Sequence, residues 1–233
     1  MAKLKRLLAP KFWKVPRKVM TWVVAPRAGP HKKFECIPLA IILRNILGLT
    51  ETGREAKTVI KKGDIFVDGK ARKEHAYPVG LMDVVSIPKL NKFYRMIPFP
   101  KGLKLIEIQE KEAKLKLLKI MNKSSVKKGK IQLNFHDGKN LIIGKDVYKT
   151  GDSVLVELPS LKIIDHVKLE KDVMGLIIGG VNAGLLATAK EIIVSRSTEP
   201  NRVVCELENK KLEISHEHFF VVGKKSPLIA VGE

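Results

Sequence analysis

From Met1 to Phe34 the chain carries ten basic residues, Lys3, Lys5, Arg6, Lys11, Lys14, Arg17, Lys18, Arg27, Lys32 and Lys33, and no acidic one. Pro10, Pro16, Pro26 and Pro30 fall among them. Proline holds its own φ at about −65° and biases its predecessor toward extended backbone, so a continuous helix is excluded here. Phe12, Trp13, Trp22 and His31 are interleaved with the charges. Flat rings beside cations suit stacking on unpaired bases or filling an apolar joint, and solvated tails seldom spend tryptophan. Residues 1–36 are therefore predicted to form an extended basic arm that orders on RNA. Removing the arm is expected to leave the rest of the fold intact.

The whole chain repeats the imbalance. Its 233 residues hold 44 Lys and Arg against 24 Asp and Glu, a net +20, while 45% apolar content is ordinary for a chain that folds. Such an excess of one sign repels itself unless a polyanion is near. Nucleic acid is the leading partner, and an anionic membrane surface is the rival. Charges and prolines break every apolar run in the first 20 residues, so no signal peptide is expected. The longest uncharged stretch, Val173 to Ala189, is seventeen residues long and contains four glycines and Asn182; a spanning helix needs about 20 apolar residues. Cys36 and Cys205 match no zinc spacing and offer at most one bridge, which suits a reducing cytoplasm.

After the arm, Leu39, Ile42, Leu43, Ile46 and Leu47 recur at helical spacing and predict one buried stripe. A second helix is predicted after Thr52, with Glu55 three residues on completing a capping box and Gly63 ending it. Its apolar stripe is Ala56, Val59 and Ile60, while Arg54, Lys57 and Lys61 share a different face. Asp68-Gly69 after the apolar run Ile65-Phe66-Val67 signals a tight turn, and Asp83 to Ile87 reads as a strand. Two helices and short strands make a compact α+β module over residues 37–90. Arg44, Arg54, Lys57, Lys61, Lys62, Lys70, Arg72 and Lys73 are its candidate phosphate ligands. For any one of these the alternative is a solubilising surface cation, an alternative that weakens for the cluster.

Leu39-x-x-x-Leu43-Arg44, Thr52-x-Arg54-Glu55-Ala56, Val67-Asp68-Gly69-Lys70 with Arg72, and Pro78 to Val84 resemble the S-four RNA-binding domain, or alpha-L motif. That domain also occurs in pseudouridine synthases, tyrosyl-tRNA synthetases and ribosome-rescue proteins. The flanks discriminate. Lys5 to Lys11, Ala25-Pro26-Arg27, Gly29-Pro30-His31-Lys32 and Pro38-Leu39 resemble the start of the archaeal and eukaryotic small-subunit ribosomal protein family called S-four-e. The resemblance implies RNA contact by Lys3, Lys5, Arg6, Lys11, Trp13, Lys14, Arg17, Lys18, Trp22, Arg27, His31, Lys32 and Lys33 of the arm together with the module's cations. Small-subunit rRNA and neighbouring small-subunit proteins are the implied partners.

Residues 91–169 read as a β-rich central domain with a short helix near Glu110 to Leu117. Strands are predicted at Ile131 to Phe135, Asn140 to Ile143 and Val154 to Leu158, and the first two are joined at Asp137-Gly138. Lys149 to Val154 and Lys162 to His166 also resemble that family's central domain. Lys123 to Lys130 reads equally as an RNA contact or a solvated loop. In residues 170–233, Lys171-Asp172-Val173 and Gly179 to Thr188 resemble a KOW motif, a strand-loop-strand piece of a small SH3-like barrel. Val181 and Leu185 stand where members usually carry basic residues, so burial of this loop against protein competes with RNA contact. The chain stops at Glu233 without the basic C-terminal extension of eukaryotic members, which points to an archaeal one.

No constellation for catalysis emerges. A G-x-x-x-x-G-K-[ST] loop and a G-x-S-x-G elbow are absent from the sequence. His216-Glu217-His218, read as a strand, would put both imidazoles on one face without a third metal ligand nearby. The expected architecture is thus α+β: arm, alpha-L module, β-rich central domain and C-terminal SH3-like barrel with its tail. The expected role is structural and cytoplasmic, in the ribosome, without cofactor or metal. An RNA-modifying enzyme and a non-ribosomal KOW-type binding module are the competing readings.

Overall fold

A computed structural model describes residues 3–195, 198–207 and 210–231; Met1, Ala2 and the predicted tail's end at Glu233 lie outside the described residues. The chain is rich in β-strand, with short helices, and divides into two compact units. The first runs to Ile97 and resumes over Lys101–Lys114; the second takes Pro98–Pro100 and the chain from Leu115 onward.

In the first unit the basic segment is folded. Strand Lys3–Lys5 pairs antiparallel with Trp22–Val24, and between them 3-10 turns at Arg6–Leu8 and Lys11–Trp13 turn the chain back. Leu4, Ala9, Trp13, Val15, Val23 and Ala25 join one core with Ile37, Leu39, Ile41, Ile60 and Val85 of the following module. Trp13 is fully buried and its Nε1–H donates to the Cys36 carbonyl at 2.8 Å. The predicted detached arm is therefore corrected: its apolar residues are core, and deletion of residues 2–33 would open the module they cover.

The module itself follows its local signals. Helix Gly53–Lys62 starts from the predicted capping box. Thr52 Oγ1 accepts from the Glu55 N–H at 3.2 Å, and Glu55 Oε2 accepts from the Thr52 N–H at 3.4 Å. Gly63 closes the helix at φ 82°, and Ala56 and Ile60 are buried. Asp68 and Gly69 both take positive φ, 52° and 71°, as a two-residue hairpin turn of mirror-image type requires. The stripe from Leu39 is helical only as far as Ile41; Ile42–Ile46 widens to π geometry, with the Leu47 N–H reaching the Ile42 carbonyl.

Strands Lys92–Phe99 and Gly102–Ile108 extend the module's sheet beyond the predicted limit at residue 90, in the order 70–71, 66–67, 84–87, 92–99, 102–108. A buried pair holds the extension. Arg95, with no exposure, donates to the Glu112 carboxylate at 3.1 Å and to its carbonyl at 3.0 Å. Glu112 lies on the short helix Glu110–Ala113, which ends before the predicted Leu117 because Leu115 begins a twelve-residue strand, Leu115–Val126.

The second unit holds two five-stranded antiparallel sheets. The first has the order 140–143, 130–135, 115–126, 153–157, 162–167; the second has 210–215, 202–207, 186–193, 174–177, 219–223. Lys119, 2% exposed, crosses from one to the other and donates to the carbonyls of His216, Glu217 and Phe219 at 2.8, 3.0 and 2.8 Å. Burial pushes its ammonium down to about 8. The uncharged stretch from Val173 is strand-loop-strand, and among the described residues no helix is long and apolar enough to cross a membrane.

Trp13→Ala is expected to lower the stability of the first unit by about 3–5 kcal/mol, the usual cost of emptying a buried tryptophan site. Chemical denaturation of the full chain measures this; an unchanged first transition would mean that the arm is a tail after all.

Candidate nucleic-acid interface

The cations of the helix Gly53–Lys62 lie on the side away from its buried face. Arg54, Lys61 and Lys62 are exposed and Lys57 is half-buried, because the buried face is taken by Ala56 and Ile60. Lys73 lays its stem within 3.4 Å of where a side chain on Gly63 would begin, which brings its charge to the helix end that holds Lys61 and Lys62. Lys70 is exposed on the strand after the Asp68-Gly69 turn. Arg72 is half-buried, its guanidinium 4.4 Å from the Tyr77 ring centroid. Arg44 is half-buried, with Nε bonded to Asn45 Oδ1 at 3.0 Å.

On the basic segment Lys3, Lys5, Lys11, Lys14, Arg17, Lys18, Arg27, Lys32 and Lys33 are exposed. Arg27 pairs with Glu74 at 2.9 Å and Lys32 with Glu35 at 3.4 Å, both in solvent. Such surface pairs are worth about 0–1 kcal/mol and exchange readily for a phosphate. Lys33 Nζ lies 5.5 Å from the Phe34 ring centroid.

Three predicted RNA ligands are corrected by their burial. Trp13 has no face left for a base. Arg6 is 5% exposed and spends its guanidinium on the carbonyls of Val15 and Pro16, tying off the loop that contains them. His31 has a side chain 5% exposed, with Nε2 2.8 Å from Asp83 Oδ2, and that same oxygen accepts from the Gly80 N–H at 2.9 Å. This clasp fastens the segment to the module. Gly80 has no side chain because a Cβ there would run into the imidazole of His31.

Several predicted residues converge. Lys3, Trp22, Arg27 and Lys57 ring one cavity of about 170 Å³ together with His75, which the sequence reading did not single out. Arg44 and Lys57 share an adjoining cavity of about 140 Å³. Lys5, Arg6 and Lys18 line a third. Burial, and then the charges of Lys57, Arg27 and Lys61, hold the His75 pKa below its ordinary value against the pull of Glu74.

The remaining candidates resolve differently. His216–His218 is a 3-10 turn, not a strand, with His216 packed on Gly151 and His218 on Gly179. Cys36 and Cys205 are unbridged and buried, and burial pushes their thiols up to about 12 and about 11, unsuited to nucleophilic work at neutral pH. In the Lys123 to Lys130 stretch Lys123 is paired with Asp146, Lys127 and Lys130 are exposed, and the side chain of Lys128 lies outside the described residues. In the glycine loop Gly184, at φ 91°, approaches the Pro98 carbonyl, while Val181 remains 89% exposed.

Residues 2–34 match the RS4NT (NUC023) domain, residues 37–85 the S4 domain, and residues 90–163 the ribosomal family S4e. The small ribosomal subunit protein eS4 of Archaeoglobus fulgidus is 47% identical over 231 residues, covering 98% of this chain and 97% of the relative. The chain belongs to the ribosomal S4e family. The eS4 protein of Methanosphaera stadtmanae is 44% identical, with 98% and 95% coverage. The crystal structure of the 30S ribosomal protein S4e from Thermoplasma acidophilum superposes with a TM-score of 0.71 at 28% identity, covering 82% of this chain and 96% of that one. Within the S4e chain, the His31–Asp83 clasp spans the boundary between the first two matched segments.

Gly80→Ala is expected to displace His31 and raise tryptic cleavage at Lys32 and Lys33 several-fold in the otherwise folded chain. Unchanged cleavage would mean that the clasp does not hold the segment.

Proposed function

We propose that the chain is a non-catalytic constituent of the small ribosomal subunit that binds small-subunit rRNA, with neighbouring subunit proteins as its other contacts and the cytoplasm as its compartment. The observation that carries the reading is end-to-end similarity to proteins named as small-subunit components. The cationic surface of the first unit supports it. Lys3, Lys5, Lys11, Lys14, Arg17, Lys18, Arg27, Lys32 and Lys33 on one segment, and Arg54, Lys57, Lys61, Lys62, Lys70 and Lys73 on the module, are at least partly exposed. Contacts of this kind neutralise phosphates and release counterions, which supplies affinity and fixes register without reading sequence.

The finer architecture belongs to the same proposal. The capped helix, two-residue turn and short strands support an alpha-L reading of the module. The strand-loop-strand at 174–177 and 186–193, within a five-stranded antiparallel sheet, supports a KOW-type SH3-like barrel. Val181 and Leu185, 89% and 42% exposed, give that loop an apolar tip, which favours a neighbouring protein over RNA as its contact.

Replacing Arg54, Lys57 and Lys61 together by Ala is expected to weaken binding to small-subunit rRNA. The slope of log affinity against log salt should become shallower by about 2–3, since each lost phosphate contact removes about 0.7–0.9. An unaltered slope would take that helix out of the interface. The ribosomal reading itself is checked by sedimentation after a high-salt wash: the protein should stay with the small subunit at one copy each, and substoichiometric, salt-labile association would favour a non-ribosomal binding module.

A further inference from the structure

Trp22 is the tryptophan that folding leaves exposed. It sits opposite Lys5 on the outer strand of the two-stranded ribbon, where alternation turns Val23 into the core at 4% exposure and leaves the indole 47% exposed. Trp22 lines the 170 Å³ cavity together with the apolar Val23, Val24, Ala25 and Ala76 and with Lys3, Arg27, Lys57 and His75. The adjoining 140 Å³ cavity shares Val24 and Lys57 and adds Ala40, Ile41, Arg44 and Gly53. No acidic residue is among the lining residues of either; Glu74 pairs with Arg27 and His75, each at 2.9 Å.

We propose that this groove is a binding site for an unpaired nucleotide of single-stranded RNA. The base stacks on Trp22 and the flanking phosphates lie against Lys3, Arg27 and Lys57, with Arg44 receiving the strand as it leaves. The proposal rests on the RNA-binding reading above and assigns one part of that surface to a defined ligand. Size fits: a cavity of about 170 Å³ holds about six waters at about 30 Å³ each, the scale of one heterocycle. Chemistry selects the occupant. An apolar side chain from a protein would cover the apolar lining but would bring no negative charge to Lys3, Arg27 and Lys57. A nucleotide brings a flat π-face and an anion at the distance of its own sugar. An A-form duplex keeps its bases stacked inside, so its faces cannot reach Trp22.

The two tryptophans make the test direct, because Trp13 is buried and bonded to Cys36 and serves as an internal reference. The full chain is titrated with an unstructured RNA heptamer and, separately, with a blunt RNA duplex, following tryptophan emission and affinity. The heptamer is expected to quench emission in the wild type but not in Trp22→Phe, whose remaining indole is Trp13. Trp22→Phe should retain most of the affinity for the heptamer. Trp22→Ala should lose about 5- to 150-fold, the range one base–aromatic stack is worth, with an unchanged salt slope because no phosphate contact is removed. Lys57→Ala should instead make the slope shallower by about 0.7. Duplex affinity should stay the same in the Trp22 variants, and unchanged Trp13 emission shows that they fold.

Wild-type heptamer affinity in Trp22→Ala, with duplex and rRNA binding intact, overturns the nucleotide site and leaves the RNA-binding reading standing. Failure of the wild type to bind heptamer, duplex or rRNA overturns that reading first. Normal RNA binding by Trp22→Ala combined with loss of incorporation into subunits would assign the groove to a neighbouring protein, and so would also overturn the proposal.

Discussion

The first unit depends on one side chain, Trp13. Ten positive charges within the first 34 residues would by themselves drive that segment away from a module that is also basic. At physiological salt such repulsion is screened beyond about 8 Å, whereas apolar contact is not screened at all. A buried tryptophan removes about 150–250 Å² from water, about 4–6 kcal/mol before ordering entropy is counted. With Leu4, Val15, Val23 and Ala25 in the same core, burial outweighs repulsion and the cations are carried to the surface on a fixed frame. An RNA ligand then meets charges already in place. The entropy of ordering the segment is spent in folding and not in binding, which is the physical content of preorganisation.

Buried and exposed cations divide the work accordingly. Arg6 is held by two backbone carbonyls, Lys119 by three, and Arg95 by both the carboxylate and the carbonyl of Glu112. The carbonyl acceptors lie in a loop, a 3-10 turn, a short helix and the first residue of the strand Phe219–Gly223, so each buried cation takes protein oxygens in place of the water it gave up. The exposed lysines and arginines have weaker claims on them, in solvent-facing pairs such as Arg27–Glu74. A composition with 44 basic residues thus overstates the surface available to a polyanion. Some of the excess charge is internal scaffolding.

What was legible in the sequence follows from the range of the interaction that decides it. The Thr52–Glu55 capping box, the stop at Gly63 and the Asp68-Gly69 turn rest on contacts within three or four residues, and they stand in the structure as read. The strands at 130–135 and 140–143 across Asp137-Gly138 likewise follow from a local turn. Readings that failed needed distant partners. Trp13 reaches Cys36, Arg6 reaches Val15 and Pro16, and His31 reaches Asp83 across 52 residues. In a one-dimensional reading each is a basic or aromatic residue in a basic stretch. His75 escaped notice for the same reason, since nothing around it in sequence signals that Trp22 and Lys57 meet it in space. The helical stripe from Leu39 was correctly placed but widens to π geometry at Ile42, a difference that apolar spacing does not encode.

The two tryptophans show how composition becomes function through register. Both lie in the same acid-free segment, nine residues apart, and identical arguments from charge and aromaticity apply to each. Trp13 falls at the end of a 3-10 turn that faces the core, and its indole N–H satisfies a carbonyl there. Trp22 falls on a strand whose neighbour Val23 takes the inward position, and two-residue alternation then sends the indole outward. A one-residue slip of that strand would exchange them, burying Trp22 and exposing Val23. The register is set by pairing of Lys5 with Trp22 and Lys3 with Val24, and the Arg6 side chain, by tying off the intervening loop at Val15 and Pro16, fixes the length of chain between the paired strands. Arg6 therefore acts on the fold through position: it ties off the loop between the paired strands, whose register leaves Trp13 buried and Trp22 exposed.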